Sequence, residues 1–175
     1  MNRFAVIGLG HFGGEVAKKL FQEGKEVIAI DADREKVQDA AEYSTQAICA
    51  DVTDKRTLQS LGINEVDVAI ISLGERMDVI TLAALHLKEI GVPYLIVKAI
   101  SADHEKILRA IGADEVIHPE AFAAKSLATR LSLFGVSDFL PILPEYSVVL
   151  LKTPACFIGQ TVSVMETKDV QVVAI

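Results

Sequence analysis

The sequence predicts an α/β fold built on a doubly wound, six-stranded parallel sheet. Three observations carry that expectation. Short apolar runs alternate with segments of helical periodicity six times before residue 120, the order that winds helices onto both faces of a parallel sheet. The runs are almost continuously apolar, as strands buried on both faces require. The first run opens into FAVIGLGHFGG, residues 4–14, where Gly8, Gly10 and Gly13 keep G-x-G-x-x-G spacing between strand and helix.

Each element has its own signals. Strand one is expected over Phe4–Ile7, with its helix running from about Phe12 to Glu23 and ended by Gly24. Strand two is Val27–Ile30, followed by a helix starting near Asp33 with acids in its early turns. Strand three is Gln46–Ala50; the segment Asp51-Val52-Thr53-Asp54 ends it and caps a helix that stops near Gly62. Strand four, Val68–Ile71, leads through Ser72-Leu73-Gly74 into a long helix closed by Gly91. Strand five is Tyr94–Val97, the next helix Ala102–Ile111 stops at Gly112, and strand six is Glu115–Ile117. Pro119 suits a first helical turn, and the helix it starts is expected to reach Phe134, with Phe122, Leu127 and Leu131 at helical spacing before Gly135 breaks it. A second apolar segment, Val136–Leu143, holds Phe139, Leu140 and Ile142.

This is more apolar surface than a finished sheet needs. Two readings stand: residues 121–144 form a helical arm that packs on another subunit, or they fold back over the sheet. After Pro144 the strands Tyr146–Leu151 and Val170–Ile175, with a turn at Gly159, read as the start of a small β-rich domain whose remainder is missing, because two strands rarely stand alone. The expected organisation is a nucleotide-binding domain over 1–120, a crossover arm over 121–144 and an incomplete domain over 145–175.

Composition excludes several classes. The 175 residues carry a net charge of −7 with no basic cluster, which argues against a nucleic-acid partner. Cys49 and Cys156 are far apart and outside metal-binding spacing, so they read as free thiols in a reducing compartment. The chain enters a strand without a signal-peptide pattern. No apolar stretch reaches the roughly 20 residues of a membrane span.

The glycine loop has a specific chemistry. Gly8 makes the tight turn after the strand, Gly10 lets the backbone approach a pyrophosphate, and Gly13 lets the helix pack close to the sheet. The helix start offers N–H groups and a favourable dipole to phosphate. Asp31 lies 18 residues past Gly13, at the carboxyl end of strand two, placed to take ribose hydroxyls. Its charge opposes a 2′-phosphate and so favours NAD over NADP; neighbouring Arg34 softens that opposition or stacks on adenine. Asp33 is better placed as a helix cap. Asp51 and Ser72-Leu73-Gly74 end strands three and four at the same edge, with helix capping and a plain turn as their alternative roles. Lys98 follows strand five there. Together these features give a Rossmann-like domain.

FAVIGLGHFGG, VIAIDADREKV, ADVTD, IVKA and IGADEVIHPE, in this order, resemble the RCK or KTN (TrkA-N) domain over about residues 1–140. That domain is the cytosolic regulatory module of bacterial potassium uptake systems of the Ktr and Trk type. The IGAD…HPE segment resembles the Ktr-type gating subunit in particular. The resemblance implies homodimers assembled into a ring, an octamer, beneath a membrane potassium channel subunit. It implies a cytoplasmic location peripheral to the membrane's inner face. It also implies ATP/ADP or NAD(H) in the cleft, with ring shape following the nucleotide.

Residue by residue, the resemblance implies that the glycine loop with His11 and Phe12, the Asp31–Arg34 turn with Asp33, Asp51 with Val52, and Ser72, Leu73 and Gly74 flank the nucleotide. Lys98 approaches the terminal phosphates. Glu120 helps hold a hard cation, Mg2+ or Ca2+, with the phosphate oxygens; its alternative role is a first-turn acid favoured by the helix dipole. His11 departs from the pattern, which has arginine there. A histidine side chain is shorter and carries no full charge near neutral pH, so weak discrimination between ATP and ADP is expected. No catalytic constellation stands out, so the chain is not expected to be an enzyme. The rival readings are an NAD-dependent oxidoreductase, which needs a substrate domain, and a redox-sensing repressor, which needs a basic DNA-binding module.

Overall fold

A computed structural model describes residues 1–132, 136–143, 146–153, 155–165 and 171–172. The chain divides into two compact units, Met1–Pro119 and Glu120–Ile175.

The first unit holds a six-stranded sheet of β1 (Arg3–Ile7), β2 (Glu26–Asp31), β3 (Gln46–Cys49), β4 (Val68–Ile71), β5 (Tyr94–Lys98) and β6 (Glu115–Ile117). All pairings are parallel, and the spatial order is β3-β2-β1-β4-β5-β6. This is the order of dinucleotide-binding sheets, with its switch point between β1 and β4. The six expected strands are present, their ends matching or shifted by one residue.

Alternating side chains feed two cores. Ala5, Ile7, Ile28, Ile30, Ala69 and Ile71 face one side, packed with Leu58, Ile80, Leu87 and Leu108. Those partners come from α3 (Lys55–Ser60), α4 (Met77–Ile90) and α5 (Ala102–Ile111). Val6, Val27, Ala29, Val68 and Ile70 face the other side with Ala17 and Ala40, from α1 (His11–Gln22) and α2 (Arg34–Ala40). A strand buried on both faces needs apolar residues at every position, which is why the runs lack polar alternation.

Helix ends follow local chemistry. Asp33 and Asp54 cap α2 and α3 by accepting the N–H groups of Glu35 and Arg56, and Ser101 caps α5 by accepting that of His104. Gly91 and Gly112 close α4 and α5 in the left-handed conformation. Asp114 secures β5 and α4 at once: its carboxylate accepts the Leu95 N–H at 2.8 Å and pairs with Lys88 Nζ at 3.0 Å.

The second unit contains α6 (Pro119–Ser132), β7 (Val136–Leu143), β8 (Tyr146–Leu151) and α7 (Val162–Met165). Here one expectation is corrected. Residues 121–144 are not helical throughout: α6 ends at Ser132, and Val136–Leu143 is a strand paired antiparallel with β8. Pro141 explains the choice. It cannot sit in a helix interior, whereas a two-stranded ribbon leaves an outer edge where no N–H is needed. The register is irregular at that point, between Pro141 and Leu143. Phe122, Leu127 and Leu131 on α6 are exposed, while Phe134 lies outside the described residues. So does the strand expected over Val170–Ile175, apart from Gln171 and Val172. Gly159, the expected turn, has φ +81°.

Candidate functional site

The carboxyl ends of β1, β2, β3, β4 and β5 bring most of the candidate residues to one edge. The β1–α1 loop is fixed by the sheet: Gly8 N–H donates to Ile30 C=O at 2.8 Å, and Ser72 N–H donates to Ile7 C=O at 2.7 Å. The three glycines then separate by what constrains them. Gly8 has φ +94°, and a Cβ there would collide with the Ser72 carbonyl. A Cβ on Gly13 would collide with the Gly8 carbonyl oxygen. Both are glycine because the fold demands it. Gly10 is different: its φ is −67° and ψ −173°, open to any residue, and a Cβ would meet nothing within 4 Å. No steric contact among the described residues demands glycine at Gly10.

Gly10 is also the N-cap of α1, and the first bond inside the helix is Gly14 N–H to Gly10 C=O at 2.8 Å. The amides of His11, Phe12 and Gly13 therefore have no acceptor within the helix. His11, at the first helical position, is exposed. Beside the loop lies a cleft of about 300 Å3 lined by Leu9, Gly10, His11, Gly14, Glu15, Lys18, Lys36 and Tyr43. A larger depression of about 430 Å3 between α1 and α2 is lined by Lys18, Phe21, Gln22, Asp39, Glu42 and Tyr43, away from the strand ends.

Asp31 ends β2 with only 8% of its surface exposed. One carboxylate oxygen accepts the Leu9 N–H at 2.7 Å and the other the Asp33 N–H at 2.9 Å. Lys36 Nζ stands 3.8 Å from both the Asp31 and the Asp33 carboxylate. Sequence reasoning missed Lys36; its signal was the three-residue step from the cap Asp33, which puts both in the first turn of α2. Arg34 is exposed at the start of that helix.

Asp51 is exposed and makes its own turn, accepting the Thr53 N–H at 2.9 Å and the Thr53 hydroxyl at 2.7 Å. These bonds, helped by Arg76, hold its carboxyl below the usual range. Asp51 is not the helix cap; Asp54 is. Val52 is 5% exposed with its side chain in the core, so only its backbone can face a ligand. Ser72 is buried at the switch point, Leu73 packs on the core, and Gly74 turns the chain at φ +57°. Lys98 is the last residue of β5 and half-buried.

Glu120 lies in the first turn of α6, in the second unit. Among the described residues no group of three or more His, Cys, Asp or Glu side chains is placed to hold a metal ion. Two of the four histidines have side-chain partners that hold the fold. His104 is fully buried; its Nδ1 accepts the Ile100 N–H at 3.4 Å and its Nε2 lies 3.4 Å from Thr81 Oγ1. His118 Nε2 lies 2.8 Å from Glu105, which also binds Arg109.

Comparison with known proteins assigns the chain. Residues 4–119 match the TrkA-N domain. The chain belongs to the TrkA-N domain family. It is 41% identical over 158 residues to the Ktr system potassium uptake protein C of Bacillus subtilis, covering 90% of this chain and 72% of that one. To the Ktr system potassium uptake protein A of the same organism it is 42% identical over 149 residues, covering 85% and 67%. Among solved structures, the GsuK channel bound to NAD is similar with a TM-score of 0.67 at 14% identity, covering 81% of this chain and 25% of that one. The last likeness concerns the fold alone. No helix among the described residues is long and apolar enough to cross a membrane.

Proposed function

We propose that the chain is a nucleotide-sensing regulatory subunit of a potassium uptake system. It binds an adenine nucleotide, ATP/ADP or NAD(H), at the β1–α1 glycine loop and passes the change to a membrane channel subunit. The observation that carries nucleotide binding is Gly10, a glycine with ordinary backbone angles and empty space at its Cβ position. The potassium role is supported by kinship with the two Ktr proteins. The role is regulatory, not catalytic, and its place is the cytoplasm at the inner membrane face.

In this reading the α1 amides and His11 hold phosphate, with Lys98 near its far end. Asp31 takes the ribose, and Arg34, Asp51, Ser72, Leu73 and Gly74 flank the base and sugar. The exposed apolar residues Phe122, Leu127 and Leu131 support a homodimer within a larger ring.

The test is calorimetric titration with ATP, ADP and NADH of the parent chain and of Gly10→Val. The parent should bind and the folded variant should lose binding. Unchanged affinity in a folded Gly10→Val would overturn the assignment.

A further inference from the structure

Asp31 is tied on both carboxylate oxygens before any ligand arrives. The two bonds run in different directions along the chain. Leu9 N–H reaches it at 2.7 Å from 22 residues upstream, between Gly8 and Gly10, while Asp33 N–H reaches it at 2.9 Å from the turn into α2. The carboxylate thus joins the glycine loop, the end of β2 and the start of α2. Leu9 is 6% exposed and Asp31 8%, so water does not replace a lost partner easily at Leu9. Lys36 Nζ, 3.8 Å away, supports the ionised carboxylate from outside.

A carboxylate has about four acceptor directions. With two taken by backbone N–H groups, two remain for ribose hydroxyls, so the ties and a ribose are compatible. The ties also set the pose of the glycine loop. With its N–H turned to Asp31, Leu9 is committed inward, and Gly10 and the first turn of α1 are left as the surface a phosphate meets.

We infer that Asp31 is a positioning residue for the phosphate-binding loop as well as a partner of the ribose, so that ligands lacking the ribose diol still depend on it. The inference rests on the proposed nucleotide site. It differs from a ribose-only role in a measurable way. If Asp31 acts through the hydroxyls alone, removing it leaves a ligand without them unaffected.

The experiment is a cycle on the full chain: ADP and 2′,3′-dideoxy-ADP titrated by calorimetry into the parent, Asp31→Ala and Asp31→Asn. Asp31→Ala should weaken dideoxy-ADP about tenfold, the effect of losing one charge-assisted hydrogen bond at the lower end of its range. Asp31→Asn keeps a side-chain carbonyl for the Leu9 N–H and should recover part of that loss. In the unliganded proteins, the Leu9 amide should exchange with deuterium faster in Asp31→Ala than in the parent, with the β1 and β4 amides unchanged.

Equal dideoxy-ADP affinity in parent and Asp31→Ala would overturn the inference while leaving the nucleotide site intact. Absence of ADP binding in the parent would overturn the nucleotide site instead. The Leu9 exchange rate would then decide the loop's support alone, an unchanged rate overturning it. If Asp31→Ala does not fold, Asp31→Asn carries both measurements, with a smaller loss expected and an unaltered affinity and exchange rate refuting.

Discussion

Replacing each loop glycine by alanine should divide the motif into two that the fold requires and one that the ligand requires. At Gly13 the new methyl group would fall on the Gly8 carbonyl oxygen and stand 3.3 Å from Ser72 Cβ. The Gly8 carbonyl is backbone and cannot swing aside as a flexible side chain would. Overpacking of this kind costs roughly 1–3 kcal/mol, against about 1 kcal/mol returned by alanine's better helix propensity. The net is a loss of up to roughly 2 kcal/mol. At Gly8 the left-handed φ of +94° adds backbone strain of about 1–2 kcal/mol to a collision with the Ser72 carbonyl. At Gly10 the methyl group meets nothing within 4 Å. Alanine is a poorer N-cap than glycine, but it restricts the unfolded chain and so recovers about 0.4–1 kcal/mol. The two effects offset to within about 0.5 kcal/mol, the usual range for a surface change. Urea denaturation of the three variants, at unchanged slope, reads these differences as midpoint shifts. A loss in Gly10→Ala as large as in Gly13→Ala would refute the reasoning, because Gly10 would then be explained by packing.

Other outcomes follow from the same contacts. Burial holds the His104 imidazole below its ordinary 6.5, so His104 is neutral in the fold. Its stabilising contribution is complete above about 6.5 and declines as pH falls below that value, because the unfolded chain then binds the proton first. The urea midpoint should fall between pH 7 and 5.5, and more weakly in His104→Gln; parallel curves would contradict this. The depressed carboxyls of Asp51, Glu105 and Asp114 add a second decline as pH falls below about 4.5. Asp114→Ala should cost about 1–2 kcal/mol in the same assay, since the Leu95 N–H and Lys88 both lose their partner; no midpoint shift would refute its role. His11→Arg should tighten ATP more than ADP, by up to one or two powers of ten, the worth of roughly 1.5–3 kcal/mol for a charge-assisted hydrogen bond. Equal changes for both nucleotides, read by calorimetry, would remove His11 from phosphate selection.

The parallel sheet and the glycine turn were legible because both follow from local sterics. Apolar runs such as EVIAID, alternating with segments of helical periodicity, fit doubly covered strands, and no residue but glycine fits at Gly8 or Gly13. What was not legible depends on residues distant in sequence coming together. The Leu9–Asp31 hydrogen bond spans 22 positions and requires β1 and β2 to be neighbours. Val52 sits in a turn by sequence but in the core by packing. Val136–Leu143 misled because a short apolar run fits either element; Pro141, read for its missing N–H, was the available signal against a helix.

Backbone deuterium exchange of the parent chain, with and without saturating ADP, ATP or NADH, tests the central claim most directly. Bound nucleotide should slow exchange in peptides covering residues 8–14, 31–35 and 72–76, the loops at the carboxyl ends of β1, β2 and β4. Peptides from the opposite end of the sheet, around residues 24–26 and 91–93, should not change. Protection confined to that opposite end or to the second unit, or none with any of the three nucleotides, would contradict a nucleotide site at the glycine loop.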